Sequence, residues 1–291
     1  MSGALPASGA ALLVALCATW GIAQIAVKLG LEGISPLVQA GLRSVIAVPL
    51  LLLWCRWRGV AVFLRDGSLG PGALSGLLFA AEFWALYEAL ALTTAARSTV
   101  LLYMAPFWAV VGAHLFVPGD KLTARKVAGL TLAFAGLVTA FADRLGAPVD
   151  ASLLGDLLSL LAGIFWGATI VAIKATRLTR IAPERTLLYQ LAASALLLPL
   201  GFALRERGVF APDALVWGAL LFQAVGVAFI SYAAWFWLVA RHKASALAPF
   251  LFLTPVFAAV AGALVLGEAI TWPLLLSLGL IGAGIWVVNR A

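Results

Sequence analysis

Charge is what this chain has least of. Only 11% of its 291 residues are Asp, Glu, Lys or Arg, against roughly a quarter in water-soluble domains. With 64% hydrophobic residues and a mean hydropathy of +1.09, no soluble fold fits. Cysteine is nearly missing: Cys17 and Cys55 both fall in apolar runs, which excludes a disulfide framework. Histidine is as scarce, with only His114 and His242. No H-E-x-x-H pair, Cys/His metal spacing or Ser–His arrangement occurs. The expectation is therefore no enzyme, no metal and no cofactor. The chain also lacks a G-x-x-x-x-G-K-[ST] loop, so it has no means of its own to bind and hydrolyse ATP. Met1 to Ala10 carries no basic residue, and no cleaved signal peptide is expected.

What is abundant is apolar sequence. Ten runs cover 9–28, 36–55, 72–92, 96–117, 124–142, 151–173, 183–204, 214–238, 244–265 and 272–289. Each is about as long as a helix needs to cross a ~30 Å hydrocarbon core. They are continuously apolar rather than alternating, which excludes a β-barrel. The predicted fold class is all-α and integral to the membrane, with ten transmembrane helices.

The net charge of +7 invites a nucleic-acid reading, but the charges sit in the wrong places for one. With the N-terminus inside, the inner segments hold Arg56, Arg58, Arg65, Lys121, Arg125, Lys126, Lys174, Arg177, Arg180, Arg185, Arg241, Lys243 and Arg290. The outer segments hold only Lys28, Arg97, Arg144, Arg205 and Arg207. Such a bias puts both termini in the cytoplasm. Nucleic-acid binders instead gather their charge on one soluble face.

The runs also repeat. Trp20-Gly21 with Lys28 recurs as Trp166-Gly167 with Lys174, at a constant offset of 146 residues. Ser35-Pro36 has a near copy in Ala182-Pro183, and Ala105-Pro106-Phe107 is echoed by Thr254-Pro255-Val256-Phe257. Residues 1–145 thus read as one five-helix repeat and 150–291 as a second, divided by the polar stretch Arg144 to Asp150. An odd number of spans inverts the second copy. Inverted repeats build two alternating gates around one midplane site in many secondary transporters. Pro106 and Pro255 fall at matching points of the fourth helix of each half and are the candidate hinges.

Leu253-Thr-Pro255-Val-Phe-Ala-Ala-Val-Ala-Gly262-Ala-Leu-Val-Leu266-Gly267-Glu268, followed by Gly279 and Gly282-Ala-Gly284, resembles the closing helices of EamA-type transporters of the drug/metabolite transporter superfamily. Tyr103-Met-Ala-Pro106-Phe-Trp and Asp120 resemble the same motif in the first half, less closely. The resemblance covers the whole chain. It implies ten helices in two inverted repeats, in a bacterial inner membrane, exporting small metabolites. Tyr232-Ala-Ala-Trp235 is similar to the YddG-type branch of aromatic amino-acid exporters. Glycines at Gly72-x-x-x-Gly76, Gly163-x-x-x-Gly167 and Gly279 to Gly284 read as close helix packing.

Charge inside the spans marks the candidate site, because a charged side chain at a helix centre costs ~2.5–3.5 kcal/mol on insertion scales. Arg43 lies ~10 Å below the outer end of helix 2, Glu88 ~6 Å and Glu82 ~15 Å below that of helix 3. They form either a structural ion pair or a substrate site, with Arg43 as a fork for a carboxylate and Glu82 or Glu88 taking an ammonium or a proton. Trp20, Trp166, Trp108, Tyr87, Tyr103 and Tyr232 are central aromatics that either pack or line a cavity for flat or apolar substrates, and Gln190 either lines the path or joins helices. Trp54, Trp57, Trp272 and Trp286 fit interfacial belts. The expected partners are a small-molecule substrate and the bilayer, with proton coupling motivated by Glu82 and Glu88. The expected function is export of small organic metabolites, amino acids first. The alternatives are an organic-cation exporter, a channel or a membrane-bound enzyme. A phosphate-ester carrier would need several cavity cations, and only Arg43 is evident.

Overall fold

Hydrocarbon offers no hydrogen-bond partners, so a chain this apolar must satisfy its backbone within helices. The computed structural model describes residues 5–62, 64–92, 95–140, 142, 153–203, 210, 212–266 and 272–289, and no strand occurs among them. The first half contains α1 (Ala7–Leu31), α2 (Pro36–Trp57), α3 (Leu69–Leu92), α4 (Ala95–Leu102), α5 (Ala105–Phe116) and α6 (Ala124–Ala140). In the second half, α7 (Leu153–Ala175) is followed by a 3₁₀ turn at Arg177–Arg180, α8 (Pro183–Ala195) and α9 (Leu197–Ala203). Next, α10 (Ala214–Leu221) runs through a π-helical stretch, Phe222–Ser231, into α11 (Tyr232–Arg241). The chain continues with α12 (Ala244–Leu247), a 3₁₀ segment Ala248–Phe252, α13 (Leu253–Leu266) and α14 (Trp272–Asn289).

Among the described residues, six helical stretches are long and apolar enough to cross a membrane: Ala7–Leu31, Pro36–Trp57, Leu69–Ala89, Leu153–Ala175, Pro183–Ala203 and Ala214–Arg241. The other apolar runs form shorter or interrupted helices. Proline accounts for the interruptions, because it lacks an N–H and clashes with the carbonyl four residues back. Pro106 stands at the start of α5 after a break at Tyr103–Met104. Pro249 lies in the 3₁₀ segment and Pro255 in the first turn of α13. Pro36 and Pro183 likewise open α2 and α8, where the missing donor costs nothing.

Helix α1 packs on α13 and α7 on α5; α3 packs on α7 and α8; the π stretch packs on α1 and α2; α2 pairs with α8 and α6 with α14. Glycine permits these approaches. A Cβ on Gly21 would stand 2.7 Å from the Ala258 nitrogen, and one on Gly167 2.9 Å from the Ala109 nitrogen. One on Gly163 would meet the Leu102 carbonyl at 2.7 Å, and one on Gly76 the Tyr189 carbonyl at 2.6 Å. The expectation for Gly279 to Gly284 needs correcting. Gly284 abuts Gly129, but nothing lies within 4 Å of a Cβ on Gly279 or Gly282. The buried stripe of α14 is Ser277, Ile281, Gly284 and Val288, so the other two glycines face outward.

Leu53, Leu77 and Leu115 are each 66% exposed, as befits side chains that face lipid. Glu268, Gly267 and the boundary stretch Arg144 to Asp150 lie outside the described residues, as do Arg205, Arg207 and Arg290 and the side chains of Lys28 and Arg97.

Candidate functional site

The face of α3 carries Phe79, Glu82, Phe83 and Leu86, spaced three and four apart so that they share one side. Opposite them stand Trp20 of α1, Trp166 and Thr169 of α7, and Tyr232, Trp235 and Phe236 of α11. Together with Leu102, Tyr103 and Ile170, these residues line a cavity of about 670 Å³. It sits among α1, α3, α7 and α11, where the two halves meet. A second cavity, of about 470 Å³, adjoins it and contains Arg43 and Tyr87. Trp20, Phe83, Leu86 and Tyr232 border both.

Glu82 thus borders the first cavity and Arg43 the one adjoining it. Arg43 is 3% exposed and Glu82 8%. The Arg43 guanidinium rests 3.9 Å from the Phe83 ring centroid and 5.9 Å from that of Tyr232, so aromatic faces take up part of its charge. Nε and Nη2 of Arg43 and Oε2 of Glu82 have no hydrogen-bond partner. Unpaired buried polar atoms are costly, and both residues belong to the lining of these cavities.

The aromatics are held edge-on. Trp20 stacks T-shaped on Tyr232 at 6.2 Å and on Trp235 at 5.5 Å, and Tyr103 meets Trp166 at 5.4 Å. The Trp20 indole donates to Ser231 Oγ at 2.8 Å, and Ser231 donates to the Val227 carbonyl at 2.7 Å. Ser231 ends the π stretch, and wide turns of this kind recur at functional sites.

A family model for EamA-like transporters matches residues 7–142 and again 153–290. The chain belongs to the EamA-like transporter family. An uncharacterized transporter of Archaeoglobus fulgidus is 30% identical over 83% of each chain. A probable amino-acid metabolite efflux pump of Escherichia coli is 27% identical over 95% of this chain and 92% of its own. A protein crystal structure superposes with a TM-score of 0.83 over 99% of both chains at 21% identity, a likeness of fold. The chain is thus a transporter with a small-molecule substrate, working in a lipid environment.

In this EamA-like transporter, Arg43, Glu82, Trp20, Tyr87, Tyr103, Trp166 and Tyr232 all border the paired cavities. Trp108 does not. It is 38% exposed, because the buried side of α5 is Ala105, Pro106, Ala109, Val110 and Ala113. Gln190 is fully buried away from the cavities and donates to Ser75 Oγ at 2.8 Å, joining α8 to α3. Glu88 is partly buried and borders neither chamber. His114 accepts a hydrogen bond at Nδ1 from the Leu122 backbone, at 3.2 Å, which ties down a loop. Phe79, Phe83, Phe236 and Thr169 escaped the sequence reading. Phe79 and Phe83 had a signal, since Phe79 lies three residues before Glu82 and four before Phe83, spacings that share one helix face.

Proposed function

We propose that this EamA-like transporter exports small zwitterionic metabolites, with apolar or aromatic amino acids foremost, across the inner membrane. The observation that carries this reading is the pair of adjoining chambers, one cationic at Arg43 and one anionic at Glu82, walled by aromatic rings. A carboxylate suits the planar fork of arginine. An ammonium suits Glu82 and the surrounding ring faces. A flat side chain suits the gap between Trp20, Trp166 and Trp235. The relatives named as amino-acid metabolite efflux pumps and the similarity of Tyr232-Ala-Ala-Trp235 to the YddG-type branch support the same substrate class.

The mechanism proposed is alternating access by two inverted repeats of five spans each, 1–145 and 150–291, with both termini cytoplasmic. The double match of the family model supports it. So does the packing, in which contacts between the halves come in matching pairs: α1 on α13 with α7 on α5, and α3 on α7 with the π stretch on α1. Pro106 and Pro255 are the hinges of this scheme, and Glu82 carries the coupled proton, with Glu88 as a second carrier.

Purified protein in liposomes, preloaded with one of a panel of amino acids, nucleosides and organic cations, tests the proposal. Saturable counterflow of apolar amino acids is the expected result, dependent on Arg43. Counterflow restricted to cations and indifferent to Arg43 would move the assignment to an organic-cation exporter, which needs only the Glu82 chamber. Flux without saturation would indicate an open pore.

A further inference from the structure

Away from the central cavities, the face where α5 ends and α6 and α12 begin holds two adjoining pockets of about 590 and 560 Å³, which share Gly119 and Lys243. Lys121 and Lys126 border the first and Lys174 the second. The acid within reach, Asp120, is already engaged. Its Oδ1 accepts from Ser245 Oγ at 2.6 Å and from Lys126 Nζ at 3.2 Å. Burial presses Asp120 toward its neutral form, yet the Ser245 hydroxyl and the Lys126 ammonium outweigh it and hold the carboxyl below its usual range. Lys126 also donates to the Lys121 carbonyl at 2.7 Å, and Lys174 is spent on the Val239 and His242 carbonyls, so the lining ammonium groups left without an acceptor among the described residues are those of Lys121 and Lys243. Burial, then the positive charges of Lys174 and Arg241, lower the proton affinity of the His242 imidazole.

The floor of the pockets is shaped for close approach. Gly119 has φ +82° and open space where a Cβ would project, so any other residue would be strained there and would protrude into the pocket. Thr123 adds a hydroxyl to the lining, while that of Ser245 is spent on Asp120. A small anion with several acceptor oxygens fits this set of donors. The pockets also lie at the ends of apolar helices, between α5 and α6 and before α12, on the face that the charge distribution assigns to the cytoplasm. Anionic leaflets attract basic residues near their surface.

We propose that this basic pocket binds the phosphate of an anionic phospholipid headgroup. Gly119 to Lys126 come from the first half of the chain, and Lys174, Lys243 and Ser245 from the second. One bound headgroup therefore bridges the halves.

Native mass spectrometry of the whole protein, equilibrated with phosphatidylglycerol or phosphatidylcholine, tests this without recourse to transport. The wild type is expected to retain one phosphatidylglycerol in preference to phosphatidylcholine. Lys121→Gln combined with Lys243→Gln should weaken that retention by about thirtyfold, and the Lys121→Arg/Lys243→Arg pair should keep it, which separates lost charge from lost fold. Equal retention of the two lipids, or equal retention by wild type and the Gln pair, overturns the proposal. Binding of inorganic phosphate by the wild type with no retained lipid also overturns it, in favour of a soluble phosphate compound.

Discussion

Arg185 grips Asp66 with both ends of its guanidinium, Nη1 to Oδ2 at 2.6 Å and Nη2 to Oδ1 at 3.3 Å. The pair ties the loop before α3 to the first turn of α8, across the two halves. Ser68 accepts from Arg185 Nη2 at 2.9 Å, and Arg177 donates to the Asp66 carbonyl at 3.2 Å. The second tie between halves on the same face runs through Asp120 and Ser245. Both fasten the side that the charge distribution assigns to the cytoplasm.

Acidity should reveal the first tie. The Arg185 and Ser68 hydrogen bonds hold the Asp66 carboxyl well below the usual carboxylate range. A depressed folded-state value means that the stabilisation is complete above the unfolded value, about 3.9, and fades as pH falls below it. The melting temperature of wild type should exceed that of Asp66→Asn by a constant margin from pH 7 down to about pH 4, and the margin should shrink in stronger acid. A margin that already shrinks between pH 7 and pH 5 would contradict this account.

Arg43→Lys should lower transport of carboxylate-bearing substrates by about tenfold or more, since a point charge cannot reproduce a bidentate fork. Substrates without a carboxylate should lose far less. Initial rates in liposomes check this, and an equal loss for both classes would assign Arg43 to structure alone.

Glu82→Gln should abolish the response of transport to a pH gradient while leaving exchange of unlabelled for labelled substrate measurable. A variant that follows the gradient as wild type does would remove the proton from Glu82.

Gly21→Val and Gly167→Val should each destabilise the protein by about 1–3 kcal/mol, because either side chain would collide with backbone of the facing helix. The two losses should be similar, since Gly21 meets Phe257 and Ala258 much as Gly167 meets Trp108 and Ala109. Thermal unfolding in detergent measures both.

How far the sequence alone could go depended on what kind of signal each residue gave. Helical class followed from run length, and the breaks near Pro106 and Pro255 followed from a missing donor. Arg43 and Glu82 stood out because charge in an apolar run needs a reason. Trp108 misled, because in a continuously apolar run the buried face carries no contrast with the lipid face. For the same reason the outward placement of Gly279 and Gly282 was invisible. Phe79 and Phe83 were legible only as companions of Glu82, and Thr169 gave no signal at all. That Arg43 and Glu82 border adjoining cavities which share Trp20, Phe83, Leu86 and Tyr232 depends on tertiary packing, which local sequence does not encode.

That π stretch has a further effect. Across the cavity from it, α3 is ordinary α-helix over its described length, whereas Phe222–Ser231 is wound wider. The pocket is therefore walled by two different coils, an α-helix behind Glu82 and a wider winding that ends at Ser231 beside Tyr232.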